Sequence, residues 1–204
     1  HAKFGADLLF KDGLISTFLK GMVKCTGYKP GALEDRYDSD GVFLYDRLNK
    51  SDMEMLELAI RCHNMYRIPQ GLNSREQAFC NVLRDADKVD IFKVNIDTPL
   101  EEIYNTTTEE LMKSDITDEV LKAFDEEHCI LKAIRRTPAD TVIGHVSLAY
   151  ELVYDESVRI TVEQGYLAKL MHFHSDNEET NRKMAMVREK MDSYVKKRIG
   201  EKYA

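Results

Sequence analysis

The sequence predicts an all-α protein, and three observations lead there. Ten glycines and four prolines in 204 residues are few for a chain built from hairpins. Glu, Lys, Leu, Met and Ala, the residues that cost least in a helix, recur throughout. Apolar residues are spaced by three and four positions over most of the chain, the period of one helical face.

The first ten residues, HAKFGADLLF, set His1, Phe4, Gly5, Leu8 and Leu9 on one face, which predicts a helix with that face inward. A second short helix is expected over LISTFLKGMV. The stretch from Thr26 to Lys50 combines Gly, Pro and Asp with little periodicity. It reads as a long excursion with a short extended piece at VFLY, and loops of that length often carry function. Ser51 and Glu54 have capping-box spacing, and Leu56, Ala59, Ile60 and His63 then share a stripe, predicting a helix to about Tyr66. RIPQGLN ends it. Ser74 and Gln77 repeat the capping spacing and open a long helix with Phe79, Val82, Leu83, Ala86 and Val89 inward and Asp87 at the border of that face.

Short helices follow over PLEEIY, TEELMK and TDEVLKAFDEEH. Residues 139–154 are apolar nearly all round, as in a helix buried between others. VRITVEQGYLAKLMHF continues as a helix whose β-branched start is also compatible with extended backbone. Ser175 and Glu178 cap a last amphipathic helix with Met184, Val187, Met191, Tyr194 and Val195 on one face. That Met-rich stripe reads as core packing, with a homodimer interface as its alternative use.

A formal net charge of -7 and a pI near 5.4 oppose a broad surface for long nucleic acid, which needs a basic stripe to replace condensed counterions. A small phosphorylated ligand is compatible with that charge, because a metal and a few basic side chains neutralise it locally. Cys25, Cys62, Cys80 and Cys129 have neither zinc-knuckle spacing nor the density of a disulfide scaffold, so they are expected reduced and mostly buried. No stretch approaches the roughly 18 apolar residues of a membrane span, and no charged-then-apolar leader is present, so a cytoplasmic location is expected. The chain starts at His1 with a helical pattern already under way, which leads us to expect a piece of a longer protein.

Chemistry concentrates on a few polar residues at apolar positions. His63 and His1 each stand where a helical stripe calls for Ile or Leu, either as core histidines satisfied by a backbone carbonyl in a purely structural bundle or as members of a shared site. Asp87 leans toward the inward face of its helix, where a carboxylate is costly unless paired or bound to a cation. Two imidazoles and a carboxylate make an oxygen-nitrogen donor set for a borderline divalent metal. Arg84, one turn before, and Lys88, next to Asp87, are either a salt-bridged helix surface or the charge that stabilises a phosphoryl group. Other positions carry weaker signals. Asp85 is expected to face solvent and Asp90 to support Asp87 from one turn on. His145 reads as a hydrogen-bonded core residue, His172 and His174 cannot share a helical face, and Arg135 with Arg136 reads as a charge pair at a helix entry.

The pieces HAKFGADLLF, IRCHNMY and LRDADKVD, in this order and on helices, resemble the HD-superfamily phosphohydrolases. RTPADTV, LVYDES and EQGYLAKL also look like the helical tail of one bacterial branch of that family. The resemblance implies an HD-domain-like helical bundle over residues 1–96 with a C-terminal helical extension, 97–204, packed on it. It implies metal-dependent hydrolysis of a nucleotide or other small phosphoester, with His1, His63 and Asp87 as ligands of a divalent metal (Mn, Ni, Co, Fe, Zn or Mg). Beside such a site Arg84 and Lys88, by their charge and position, are expected in catalytic roles. No His-Asp dipeptide occurs in these 204 residues, so the family's first His and its His-Asp pair match no residue here. Asn64 stands where two-metal relatives carry a further His. The competing expectation is a non-catalytic HD-type module that senses a nucleotide or regulates a partner.

Overall fold

The computed structural model describes residues 2–12, 14 and 50–200, and among them every regular element is helical. His1, Cys25, VFLY and all of LISTFLKGMV after Leu14 lie outside the described residues. The chain forms two compact units, His1–Arg84 and Asp85–Ala204, each with its own apolar cluster. No helix among the described residues is long and apolar enough to cross a membrane.

In the first unit, α1 (Ala2–Ala6) runs on into a π-helical turn, Asp7–Lys11, and packs against α2 (Lys50–Cys62). Small side chains make the approach close. Ala2 and Ala6 are buried, whereas Phe4, expected on the inward stripe, is 69% exposed. The inward face of α1 is thus turned away from the expected one. Arg61 fixes the pairing by reaching Asp7 at 2.6 Å while also holding Glu57 one turn back. Ala59, Cys62 and Cys80 form the unit's core with Leu58, Ile68, Leu72 and Leu83 packed around them. Burial raises the pKa of both thiols, as expected of reduced, apolar cysteines.

The long helix α3 (Ser74–Asp97) begins one residue earlier in its cap than its sequence suggests. Asn73, not Ser74, accepts the N–H groups of Arg75 and Glu76, and Glu76 returns the bond to the Asn73 N–H at 2.9 Å. The same box opens α5, where Thr107 and Glu110 pair reciprocally.

The second unit contains the C-terminal half of α3 followed by α4 (Leu100–Tyr104), α5 (Thr108–Lys113), α6 (Asp118–Phe124) and α7 (Pro138–Val146). Then come α8 (Asp155–Gln164), α9 (Tyr166–Met171) and α10 (Glu178–Ile199). The apolar run expected as one buried helix is buried, but it changes to a 3-10 turn at Ser147–Glu151. Gly165, at φ +71°, separates α8 from α9, a conformation that costs other residues about 1 kcal/mol or more. On α10, Met184, Val187 and Met191 are sealed in the core. Its cap is Asn177 rather than Ser175, whose hydroxyl is instead given to the Met112 carbonyl.

Arg135 ties the segment before α7 to that helix by donating from Nη2 to the carbonyls of Ile130 and Gly144. The guanidinium lies flat on Gly144, where an added Cβ would sit 2.2 Å from its Cζ and Nε. Gly144→Ala is therefore expected to destabilise the protein by about 1–3 kcal/mol, since the guanidinium must leave its carbonyl partners. In an Arg135→Ala background most of that penalty should vanish, and a double-mutant cycle by urea unfolding reads the coupling. Equal penalties in both backgrounds would refute the contact as its cause.

Candidate functional site

The face of α3 that points inward is polar where the apolar pattern predicted otherwise. Phe79, Val82 and Ala86, expected inward, are exposed, whereas Leu83 and Val89 pack against the apolar clusters as expected. Stepping by four, four, four and three residues, Cys80, Arg84, Lys88, Phe92 and Asn95 are all buried. Arg84 retains 7% of its surface and Lys88 6%, so neither lies on a solvated helix surface. Burying cations costs several kcal/mol each unless hydrogen bonds and counter-charges compensate.

For Arg84 part of that compensation is main chain. Its Nη1 donates to the Met65 carbonyl at 2.8 Å and its Nη2 to the Tyr66 carbonyl at 3.4 Å. These carbonyls belong to the turn that leaves α2 immediately after His63, so Arg84 fixes the chain on which the imidazole stands. The half-buried His63 ring places Nδ1 2.7 Å from the Ile60 carbonyl. A carbonyl only accepts, so Nδ1 carries a proton and donates it. An Nδ1–H bound to a carbonyl is what a histidine satisfied by the backbone shows, and it is also the arrangement that orients ligand imidazoles in metal sites.

Asp87 sits half-exposed on the flank of α3, and Asp90 is exposed. Asp85, expected at the surface, is only 2% exposed, and its carboxylate accepts the N–H groups of Val153 and Tyr154 at 3.0 Å. It anchors the link between the 3-10 turn and α8. His1 lies outside the described residues, and among those described no three His, Cys, Asp or Glu side chains gather as a metal-ion group. His63 and Asp87 nevertheless supply donor types that suit a borderline divalent ion.

A second polar cluster, in the second unit, had only one member legible beforehand. Asn95 Oδ1 accepts from the Tyr104 hydroxyl at 2.9 Å and from His145 Nδ1 at 2.7 Å, and Asn95 Nδ2 donates to the Ile91 carbonyl. His145 is the hydrogen-bonded core residue its sequence context predicts. Burial, with Arg135 and Lys132 nearby, depresses its pKa to about 4, so the ring is neutral at pH 7. Asn95 and Tyr104 gave no sequence signal because a single Asn in a helix and a Tyr at a helix end are ordinary. Among the remaining candidates, His172 and His174 are exposed, and Arg136 pairs at the surface with Glu119 at 3.1 Å.

No family model, curated protein or solved structure matches this chain.

Proposed function

We propose that this chain is the later, helical part of an HD-type metal-dependent phosphohydrolase acting on a nucleotide or other small phosphoester. The observation that carries the reading is the buried pair Arg84 and Lys88, one helical turn apart on α3 and next to Asp87. In a protein of net charge -7, two cations kept below the surface suit a compact anion better than a solvated helix face. The Nδ1–H that His63 gives to the Ile60 carbonyl supports the same reading, because ligand imidazoles are oriented in that way. The proposed metal ligands are His63, Asp87 and His1, completed by a His and a His-Asp pair from outside these 204 residues. A divalent ion held there would polarise a phosphoryl oxygen and acidify a water. Lys88 and Arg84 would offset the charge that develops on the phosphoryl oxygens, and Arg84 would also hold the turn that aims His63.

The test uses the full-length protein, with metal analysis alongside hydrolysis of a panel of nucleotides and of p-nitrophenyl phosphate. His63→Ala should lose bound metal while keeping its helical circular dichroism. Lys88→Met, which preserves volume, should lower kcat/KM about 10²–10³-fold, the usual loss for one charge-stabilising group. Absence of stoichiometric metal together with unaltered turnover in Lys88→Met would sink the proposal. Nucleotide binding without turnover would instead favour the regulatory module, toward which the engagement of Arg84 by two main-chain carbonyls points.

A further inference from the structure

A groove in the second unit has no part in the hydrolase reading. It encloses about 500 Å³, within the range of small-ligand sites. Its floor is aromatic: Phe124 is fully buried and Tyr150 nearly so, with ring centroids 5.0 Å apart. Met186, 46% exposed, supplies an apolar wall. Three carboxylates, Asp125, Glu127 and Glu189, rim it against a single ammonium, that of Lys190. Lys190 is held by Asp125, and the cation nearest Glu127 is Lys197 at 3.9 Å, a long pair at the surface. The rim therefore has a surplus of negative charge facing an apolar floor.

Tyr150 supplies the independent observation. The residue is more than nine-tenths buried, and its ring is clamped by Phe124 on one side and edge-on by Tyr194, 4.8 Å away. Yet its hydroxyl has no hydrogen-bond partner among the described residues, and it is not sealed from solvent. A buried phenol normally finds a partner for its hydroxyl. Here the rigid ring presents that oxygen to a groove where carboxylates outnumber cations.

We propose that this groove binds a small linear polyamine, with one ammonium among Glu127, Glu189 and the Tyr150 hydroxyl and the methylene chain along Met186 and the aromatic floor. An ammonium donates to both carboxylate and phenol oxygens, which a metal ion would require packed more tightly, and its alkyl spacer matches the apolar surface. A phosphorylated ligand is repelled by the same rim.

Titration calorimetry of the full chain with spermidine near physiological ionic strength tests this. One saturable site is expected. Glu127→Gln and Tyr150→Phe should each weaken it about tenfold, equivalent to about 1.4 kcal/mol. Tyr150→Phe should leave the melting temperature unchanged, because the lost hydroxyl has no protein partner. Asp192→Asn, which removes an exposed carboxylate of α10 outside the groove, should leave binding unchanged. Absence of saturable binding, or equal weakening by Asp192→Asn through diffuse charge alone, would overturn the proposal.

Discussion

Asp140→Ala is expected to cost about 3–5 kcal/mol, enough to unfold a domain of ordinary stability near body temperature. The carboxylate is fully buried and joins the starts of two helices. Through Oδ2 it accepts the N–H groups of Arg136 and Thr137, completing the capping box of α7. Through Oδ1 it accepts the N–H of Thr117, the cap of α6, at 2.8 Å, and it also receives that threonine's hydroxyl. Alanine would leave three main-chain donors without their acceptor in a packed interior. Asp140→Asn keeps the shape but turns one acceptor into a donor facing N–H groups, so an intermediate loss is expected. Urea unfolding followed by circular dichroism measures both. A loss under about 1 kcal/mol for Asp140→Ala would mean water replaces the carboxylate at little cost.

The same residues show how far the sequence can be read. The short helices around α5 and α6 and the long α10 are where apolar spacing puts them, since their buried faces are made of Leu, Val, Phe and Met. Caps were displaced by one or two residues where Asn competed with Ser. At α3 and α10, asparagine takes the role that Ser74 and Ser175 seemed suited for, because its longer side chain reaches back over the first turn.

The expected inward face of α3 differs at Phe79, Val82 and Ala86 for a more basic reason. Periodicity weighs side chains by hydrophobicity, and it cannot see partners that arrive from distant sequence. Arg84 is compensated by carbonyls 18 and 19 residues away, and Asp85 by N–H groups 68 and 69 residues away. Once those partners are in place, the polar residues are the inward ones and Phe79 and Val82 are left outside. Arg84, Lys88, His63 and Asp87 were thus legible as candidates by type and motif. The burial of Arg84 and Lys88, which strengthens their case, was not.

Lowering the pH from 6.5 to 4 is expected to remove up to about 3 kcal/mol of stability through His145 alone. In the folded protein the imidazole titrates at about 4, while in the unfolded chain it returns to its ordinary value of 6.5. Between these values the unfolded state binds the proton that the folded state refuses, so stability falls as pH falls. The contribution is complete above about pH 6.5 and is exhausted near pH 4. Burial is the main cause, and the positive charges of Arg135 and Lys132 act in the same direction. The Asn95 oxygen remains an acceptor for the ring N–H in either state, so that bond does not reverse the sign. Glu101 and Glu110, whose hydrogen bonds hold them below the usual carboxylate range, add acid lability only below the ordinary value of 4.5. The His145 effect is therefore read between about pH 6.5 and 4.5, by urea unfolding of the wild type beside His145→Gln. Glutamine cannot charge, so the variant's stability should be flatter across that window, even if it is lower at pH 7. Parallel curves for the two proteins would show that the imidazole is protonated in place without penalty, and that its burial is weaker than the Asn95 and Tyr104 packing implies.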